Sequence, residues 1–199
     1  MGRSRMIYGI GINDADYRVT KNERINGAWK IVWQCPYYIT WKNMLGRCYS
    51  DADDLRDPTY KGCSVCDEWL TFSNFKSWME QQEWKGKHLD KDLLRQGNSV
   101  YCPEYCIFVN AKINTFITDR GNDRGVYMLG VYRKTNTNKL CAQCNNPFNG
   151  KRENLGYFTD ELEAHLTWKR RKHELACMLA DSEYCHDPRL AEALRTRYL

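Results

Sequence analysis

The stretch HLDKDLLRQGNSVYCPEYCIFVNAKIN, residues 88–114, decides the fold of this chain. Gly97-Asn98 lies between two β-favouring runs, which is a signal for a β-hairpin, and a helical segment follows. The predicted elements are strands at 89–92 and 100–101, an apolar strand at 106–109, and a helix from 111 to 116 that carries Asn114.

A strand–strand–helix unit with acidic and amide side chains turned inward is how the HNH (ββα-metal) nucleases hold one metal ion. The stretch resembles a degenerate form of that family common in phage proteins, through Leu89-Asp90-Lys91, the segment 101–106 and Asn114. The resemblance covers residues 38–116. Its other matching residues are Trp41, Met44, Arg47, Cys48, Tyr60, Cys66, Trp69, Phe72 and Phe75.

The resemblance implies a metal-dependent DNA endonuclease of the homing type. Asp90 and Asn114 would bind a divalent ion, Mg²⁺ or Mn²⁺, and Asp92 would assist. Lys91 stands where the family has its histidine base, and an ordinary lysine is protonated at pH 7. Lys91 would therefore stabilise charge at the scissile phosphate. The alternative is a regulator that binds DNA without cleaving it.

Composition limits the classes of function. The chain has 199 residues and a net charge of +5, which permits nucleic acid as a partner. No apolar run approaches the ~18 residues that span a membrane, and no apolar segment follows the basic N-terminus. We expect a soluble chain in the cytoplasm, which the resemblance places in a phage-infected bacterium.

Upstream of the deciding stretch, residues 1–34 form a strand or loop segment in which Gly9 and Gly11 make a packed turn, with a strand at 30–33. Apolar residues at helical spacing predict a helix over 35–49 that starts near Pro36. A polar loop at 50–60 precedes a second helix at 71–82, with Thr71 as its N-cap.

A second module follows a polar linker at 118–123. Three antiparallel strands are expected at 130–133, 139–144 and 151–158, and a long amphipathic helix at 160–179 with Thr159 as its cap. The basic run at 169–173 is interpreted as a solvated helix face. The segments 130–133, 155–158 and Glu163-Ala164 are similar to those of the AP2 (integrase-like) DNA-binding domain.

The AP2 resemblance implies that the sheet lies in the major groove of double-stranded DNA. Arginine can read guanine there, and glutamine can read adenine, whereas lysines and turn residues suit phosphates. The residues expected to contact DNA are Arg133, Lys134, Lys139, Gln143, Lys151 and Arg152.

Ten cysteines in a cytosolic chain indicate metal ligands, core residues or free thiols rather than disulfides. Two pairs have the short spacing that suits a tetrahedral zinc site. They are Cys63 with Cys66 and Cys102 with Cys106. The other interpretation makes these cysteines small core residues.

The sequence thus predicts an α+β protein in which an HNH-like ββα module with flanking helices precedes an AP2-like sheet packed on one helix. The predicted divisions are 1–34, 35–117, 125–181 and a tail at 182–199. Site selection by the sheet, with or without cleavage by the first module, is the expected function. A protein-interaction role, such as inhibition of a host enzyme, is the remaining alternative.

Overall fold

The computed structural model describes residues 6–50, 60–118, 126–134 and 137–199 of a mixed α+β fold. The chain divides into two compact units, residues 1–108 and 109–199. The division therefore precedes the predicted linker, much of which lies outside the described residues, and the N-terminal segment belongs to the first unit. Among the helices of the described ranges, none has the length and apolarity needed to cross a membrane.

The first unit is built around an aromatic core. Its elements are strands β1 (Thr20–Ile25), β2 (Ala28–Gln34), β3 (Ser64–Val65), β4 (Lys87–Asp90) and β5 (Val100–Tyr101), and helices α1 (Pro36–Tyr49) and α2 (Phe72–Glu80). Strand β6 (Ile107–Asn110) crosses the division. The helices confirm the periodicity, because the apolar positions of α1 and α2 are buried together.

Trp41 illustrates how that core is held. Its ring is fully buried, and its indole N–H donates to the carbonyl of Trp69 at 2.7 Å. Gly11 completes the packed turn expected at the N-terminus, because a Cβ there would lie 2.4 Å from Leu45 Cδ1. The amide of Ile12 then donates to the carbonyl of Leu70, which fixes the N-terminal segment to this unit.

The hairpin predicted at 89–101 is wrong in its pairing. Strand β4 pairs with β6, whereas β5 pairs in parallel with β3. The chain leaves extended geometry after Asp90, and residues 91–99 form a loop. The turn signal at Gly97-Asn98 suggested that the strands on its two sides pair with each other. Each of them pairs instead with a strand that is more distant in sequence.

The N-terminal strand predicted at 30–33 is part of a longer hairpin. Strands β1 and β2 pair antiparallel around Asn26 and Gly27, which both have positive φ angles of 52° and 82°. Such angles at two consecutive turn positions are typical of a two-residue hairpin, and Asn-Gly favours them. Residues 8–12, where the sequence predicts a packed turn, form a turn with isolated bridges.

The second unit contains the predicted three-stranded sheet. Its elements are α3 (Ala111–Ile117), β7 (Val131–Arg133), β8 (Leu140–Asn145), β9 (Arg152–Phe158), α4 (Glu161–Ala180) and α5 (Pro188–Thr196). The strand order is β7-β8-β9, and both pairs are antiparallel, as the sequence predicts. Asp160 rather than Thr159 caps α4, by accepting from the amide of Glu163.

The C-terminal residues are not a tail. Helix α5 starts at an Asp187 cap, and its buried Leu190 and Leu194 pack against α4. The basic run on α4 is also only partly solvated. Lys172 is 8% exposed and donates to the carbonyl of Phe116, and Arg171 pairs with Glu153. These cations therefore hold the second unit together.

Candidate nucleic-acid interface

The register of the second unit's sheet separates its side chains onto two faces. Directly paired residues of neighbouring strands project to the same side, and successive residues alternate. Cys141 pairs with both Tyr132 and Tyr157. A register shift follows between Ala142 and Gln143, which places one extra residue in β9, so that Gln143 pairs with Asn154 and Asn145 pairs with Arg152. These seven residues therefore share one face, which we call the amide face: Tyr132, Cys141, Gln143, Asn145, Arg152, Asn154 and Tyr157.

The amide face carries a network of side-chain hydrogen bonds. Gln143 Nε2 donates to the Tyr132 hydroxyl at 2.9 Å, and Asn154 Nδ2 donates to the Tyr157 hydroxyl at 3.0 Å. Arg152 Nε donates to Asn145 Oδ1 at 3.3 Å. Bonding to its neighbours restrains each side chain, which lowers the entropy lost when the face meets a partner.

Protonated and cationic groups complete this face. A hydrogen bond with Cys141, followed by burial, raises the pKa of Tyr132 to about 12, so the phenol keeps its proton at neutral pH. Lys134 Nζ lies 3.3 Å from the Tyr157 hydroxyl and 4.5 Å from the centre of that ring. The seven residues of the amide face include one cation and no carboxylate.

The opposite face of the sheet packs on α4. Leu140, Ala142 and Cys144 of β8 are all buried there. Glu153 also belongs to this face, and Arg171 Nε donates to its Oε2 at 2.7 Å. That hydrogen bond is the main reason why the pKa of Glu153 is lowered. The carboxylate of the sheet is thus neutralised on the side away from the amide face.

The predicted DNA-contacting residues are distributed around this arrangement. Gln143 and Arg152 lie on the amide face, and Lys134 reaches Tyr157 beside it. Arg133 alternates to the other face and donates to Asn138 at the turn. Lys139 and Lys151 are exposed at the strand ends. Sequence reasoning missed Tyr132, Asn145, Asn154 and Tyr157. Alternation from Gln143 and Arg152 could have revealed the two asparagines, whereas Tyr157 joins their face only through the register shift between β8 and β9.

A cavity of about 1150 Å³ opens beside the amide face within the second unit. It shares Tyr132, Gln143 and Arg152 with that face and extends to Lys112 on α3. The Lys112 ammonium lies 3.9 Å from the centre of the Tyr184 ring. The polar surface is therefore concave at one end and gains a further cation there.

The side chains predicted to form a metal site bond to the protein itself. Asp90 Oδ1 accepts from the amides of Asp92 and Leu93, at 3.0 and 2.7 Å, and so closes the turn after β4. Burial, followed by the charge of Asp92, raises the pKa of Asp90. Asp92 itself bonds the ammonium of Lys91 at 3.1 Å.

Lys91 is 8% exposed, and its ammonium also donates to the carbonyl of Asn98 at 3.1 Å. Burial opposes its charge, but the hydrogen bond and charge of Asp92 outweigh burial and raise the pKa of Lys91. Lys91 is therefore a cation at neutral pH and holds no lone pair for a proton. Its position inside the first unit matches a structural role.

Asn114 belongs to the second unit, on α3, and is half-buried. Its backbone carbonyl accepts from the Thr118 amide and hydroxyl, at 3.1 and 2.7 Å. The neighbouring Asn110 caps α3 by accepting from the amide of Lys112. The metal set predicted from the sequence thus draws Asp90 and Asn114 from different units.

All ten cysteines are free thiols. In the described ranges, no group of three or more His, Cys, Asp or Glu side chains is arranged to hold a metal ion. Burial is the main reason why the thiol pKa values of the four predicted zinc ligands are raised. Zinc binding by Cys63, Cys66, Cys102 and Cys106 stays a prediction.

Comparisons with known proteins give no family for this chain. No protein-family model, no curated protein and no solved structure matches it.

Proposed function

We propose that this chain is a DNA-binding protein whose amide face contacts the major groove of double-stranded DNA. One observation carries the proposal. The exposed face of a three-stranded sheet presents amides, phenols and a guanidinium without a carboxylate, and the sheet's glutamate is paired on the opposite side. The order of three antiparallel strands and a long helix supports the resemblance to the AP2-like family.

The chemistry of the face suits base edges. Gln143, Asn145 and Asn154 each offer a donor and an acceptor, as adenine recognition requires, and Arg152 can bond guanine. Lys134, Lys139 and Lys151 lie at the margins of the sheet, where phosphates would approach. Binding should therefore depend strongly on salt, because each phosphate contact releases counterions.

The segment from β4 to α3 bears on whether the chain cleaves DNA. Strand β4, strand β6 and helix α3 follow in the ββα order of the HNH-like resemblance. Asp90 nevertheless closes a turn, and Lys91 is a buried, hydrogen-bonded cation. These contacts favour the regulator, which binds without hydrolysis, over the endonuclease.

The proposal is tested by fluorescence anisotropy of labelled duplex DNA over a series of salt concentrations. We expect Arg152→Ala and Gln143→Ala each to weaken binding by about ten-fold, within the range for one base contact. Arg170→Ala is the matched control, because Arg170 is an exposed arginine on α4, away from the amide face. Equal effects of Arg152→Ala and Arg170→Ala would reject the amide face as the interface.

Cleavage is tested separately with supercoiled plasmid in Mg²⁺ or Mn²⁺. The regulator predicts intact plasmid that is retarded in a gel. Nicking that disappears in Asp90→Ala and without metal would instead establish the endonuclease and give Asp90 its predicted role.

A further inference from the structure

The hairpin of β1 and β2 exposes an unusual amount of apolar surface for so small an element. Trp29 is 74% exposed and Ile31 is 60% exposed, and nearly every residue of both strands is open to solvent. An isolated two-stranded hairpin is only marginally stable in water. Large apolar side chains on such an element indicate a surface that meets a partner.

The register assigns these side chains to faces. Arg24 pairs with Trp29, and Asn22 pairs with Ile31, so these four residues share one face. A register shift between Lys21 and Asn22 then turns Lys21 and its partner Trp33 to the other face. The Lys21 ammonium lies 5.5 Å from the centre of the Trp33 ring.

Charge selects the kind of partner. The strands carry Lys21, Arg24 and Lys30 but only one carboxylate, Glu23, which is paired in register with Lys30. Arg24 therefore accompanies Trp29 and Ile31 on a face without an acid, and the other face holds two cations. A ribbon with cations on both faces is complementary to a polyanion that surrounds it.

Dimensions agree with a nucleic-acid groove. Strand β2 has seven residues, which extend over about 23 Å. Two strands lie about 4.8 Å apart, and the major groove, roughly 12 Å wide, admits a two-stranded ribbon. Both walls of that groove are lined by phosphates, so cations on both faces would each find a partner.

We propose that the β1–β2 hairpin is a second DNA-binding element, an arm that lies in a groove of double-stranded DNA. Arg24, Lys21 and Lys30 contact phosphates on the two walls. Trp29 and Ile31 make apolar contacts with base edges such as the thymine methyl group. This inference rests on the proposed function for its ligand, but it places a separate contact in the first unit.

The test compares Arg24→Ala, Trp29→Ala and Lys42→Ala in the salt series on labelled duplex DNA. We expect Arg24→Ala to reduce the steepness of the salt dependence by about 0.9, the contribution of one phosphate. Trp29→Ala should weaken binding about ten-fold and leave the slope unchanged, because indole has no charge. Lys42 is an exposed lysine on α1 and serves as the control for lost charge.

A loss of binding in Trp29→Ala should not come from unfolding. Trp29 is far more exposed than the core tryptophans, so the substitution should leave the melting temperature unchanged. Hydroxyl-radical footprinting adds a geometric readout. The wild-type footprint should shorten on one side in Trp29→Ala.

The experiment distinguishes a failure of the proposed function from a failure of the arm. If the wild type binds no duplex, the proposed function and the arm both fall. If Arg152→Ala weakens binding but the hairpin variants behave like Lys42→Ala, only the arm is rejected. A wild-type dimer in size-exclusion chromatography that Trp29→Ala converts to a monomer would assign the hairpin to a second copy of the chain and also reject the arm.

Discussion

The loop after β4 and the amide face of the β7–β9 sheet use the same polar residue types in opposite ways. In the loop, Asn98 Nδ2 donates to the carbonyls of Lys91 and Val100, at 2.6 and 2.7 Å. On the sheet, the Asn154 amide bonds the Tyr157 hydroxyl and remains exposed. The half-buried Asn98 uses its Nδ2 to bond two backbone carbonyls. The exposed Asn154 accepts from the Gly156 amide with its Oδ1, but its Nδ2 bonds another side chain on the open face, where a partner can reach it.

The difference shows why residue type alone does not identify a site. Asp90, Lys91 and Asn98 satisfy each other and the backbone of their loop, so their chemistry maintains the fold. The side-chain N–H groups of Gln143, Arg152 and Asn154 donate to other side chains on an exposed surface, where a ligand can compete for them. The two regions differ in whether their polar groups are accessible to a ligand, and not in which residue types they contain.

The largest loss of stability is expected from a substitution at the contact between the sheet and α4. Gly130 has a φ of 76°, and a Cβ there would lie 2.0 Å from Trp168 Cγ. Gly130→Ala should lower the free energy of unfolding by about 3 kcal/mol, from the strained backbone and the overlap. Urea denaturation measures it.

Gly150→Ala is the control for Gly130→Ala, because Gly150 also has a positive φ, of 68°, but nothing lies within 4 Å of its Cβ position. It should cost about 1 kcal/mol from the backbone alone. Equal losses for the two variants would show that the contact with Trp168 does not support the sheet.

Asn98→Ala should cost about 2 kcal/mol of stability, because two half-buried carbonyls lose their donor. Its effect on DNA affinity should be negligible if the loop is purely structural. Chemical denaturation and anisotropy on the same protein samples give both quantities. A variant of wild-type stability that no longer binds DNA would reverse the roles of the two regions.

Asn154→Ala is the same substitution on the amide face and should show the opposite pattern. The free energy of unfolding should change by less than about 1 kcal/mol, since its hydrogen bonds with the Tyr157 hydroxyl and the Gly156 amide are exposed. Its affinity for duplex DNA should fall about five-fold or more, through loss of a base contact. Unchanged affinity in anisotropy measurements would remove Asn154 from the interface.

The smallest change in stability is expected for the ion pair of Glu153 with Arg171, on the face of the sheet opposite the amide face. The pKa of Glu153 is lowered by Arg171, so its contribution to stability is complete above the unfolded value of about 4.3 and is lost as the pH falls through the lowered value. Glu153→Gln should therefore cost less than about 1 kcal/mol at neutral pH, because the pair is partly exposed.

Denaturation at several pH values checks this sign. The difference between the wild type and Glu153→Gln should shrink toward acid pH. Glu192→Gln is the control, since Glu192 is exposed on α5 and has no ion pair in the part of the chain that is described. A difference that stays constant with pH would mean that the ion pair contributes nothing.

Several elements were predictable because their signals are local. The spacing of Tyr38, Trp41 and Leu45 predicted α1, and the turn residues between 130 and 158 predicted the three antiparallel strands. Gln143 and Arg152 were placed correctly at the sheet. Strand alternation depends on the sequence alone, so the additional amides of this face were within its reach.

Strand β1 and helix α5 were missed for a different reason. Strand β1 is almost entirely polar, TKNERI, and offers no apolar alternation, although Asn26-Gly27 is a turn signal. Helix α5 is short, and only its packing on α4 accounts for its buried Leu190 and Leu194. Short elements gain most of their stability from tertiary contacts.

The sequence by itself determined the α+β class, the principal helices, the antiparallel sheet and its basic, amide-rich character, because these depend on periodicity and composition within short segments. Only the tertiary structure decided that β4 pairs with β6, that Lys91 is buried, and that Glu153 is neutralised behind the sheet. Strand partners and ion pairs are set by residues far apart along the chain, and burial is set by everything that packs around them.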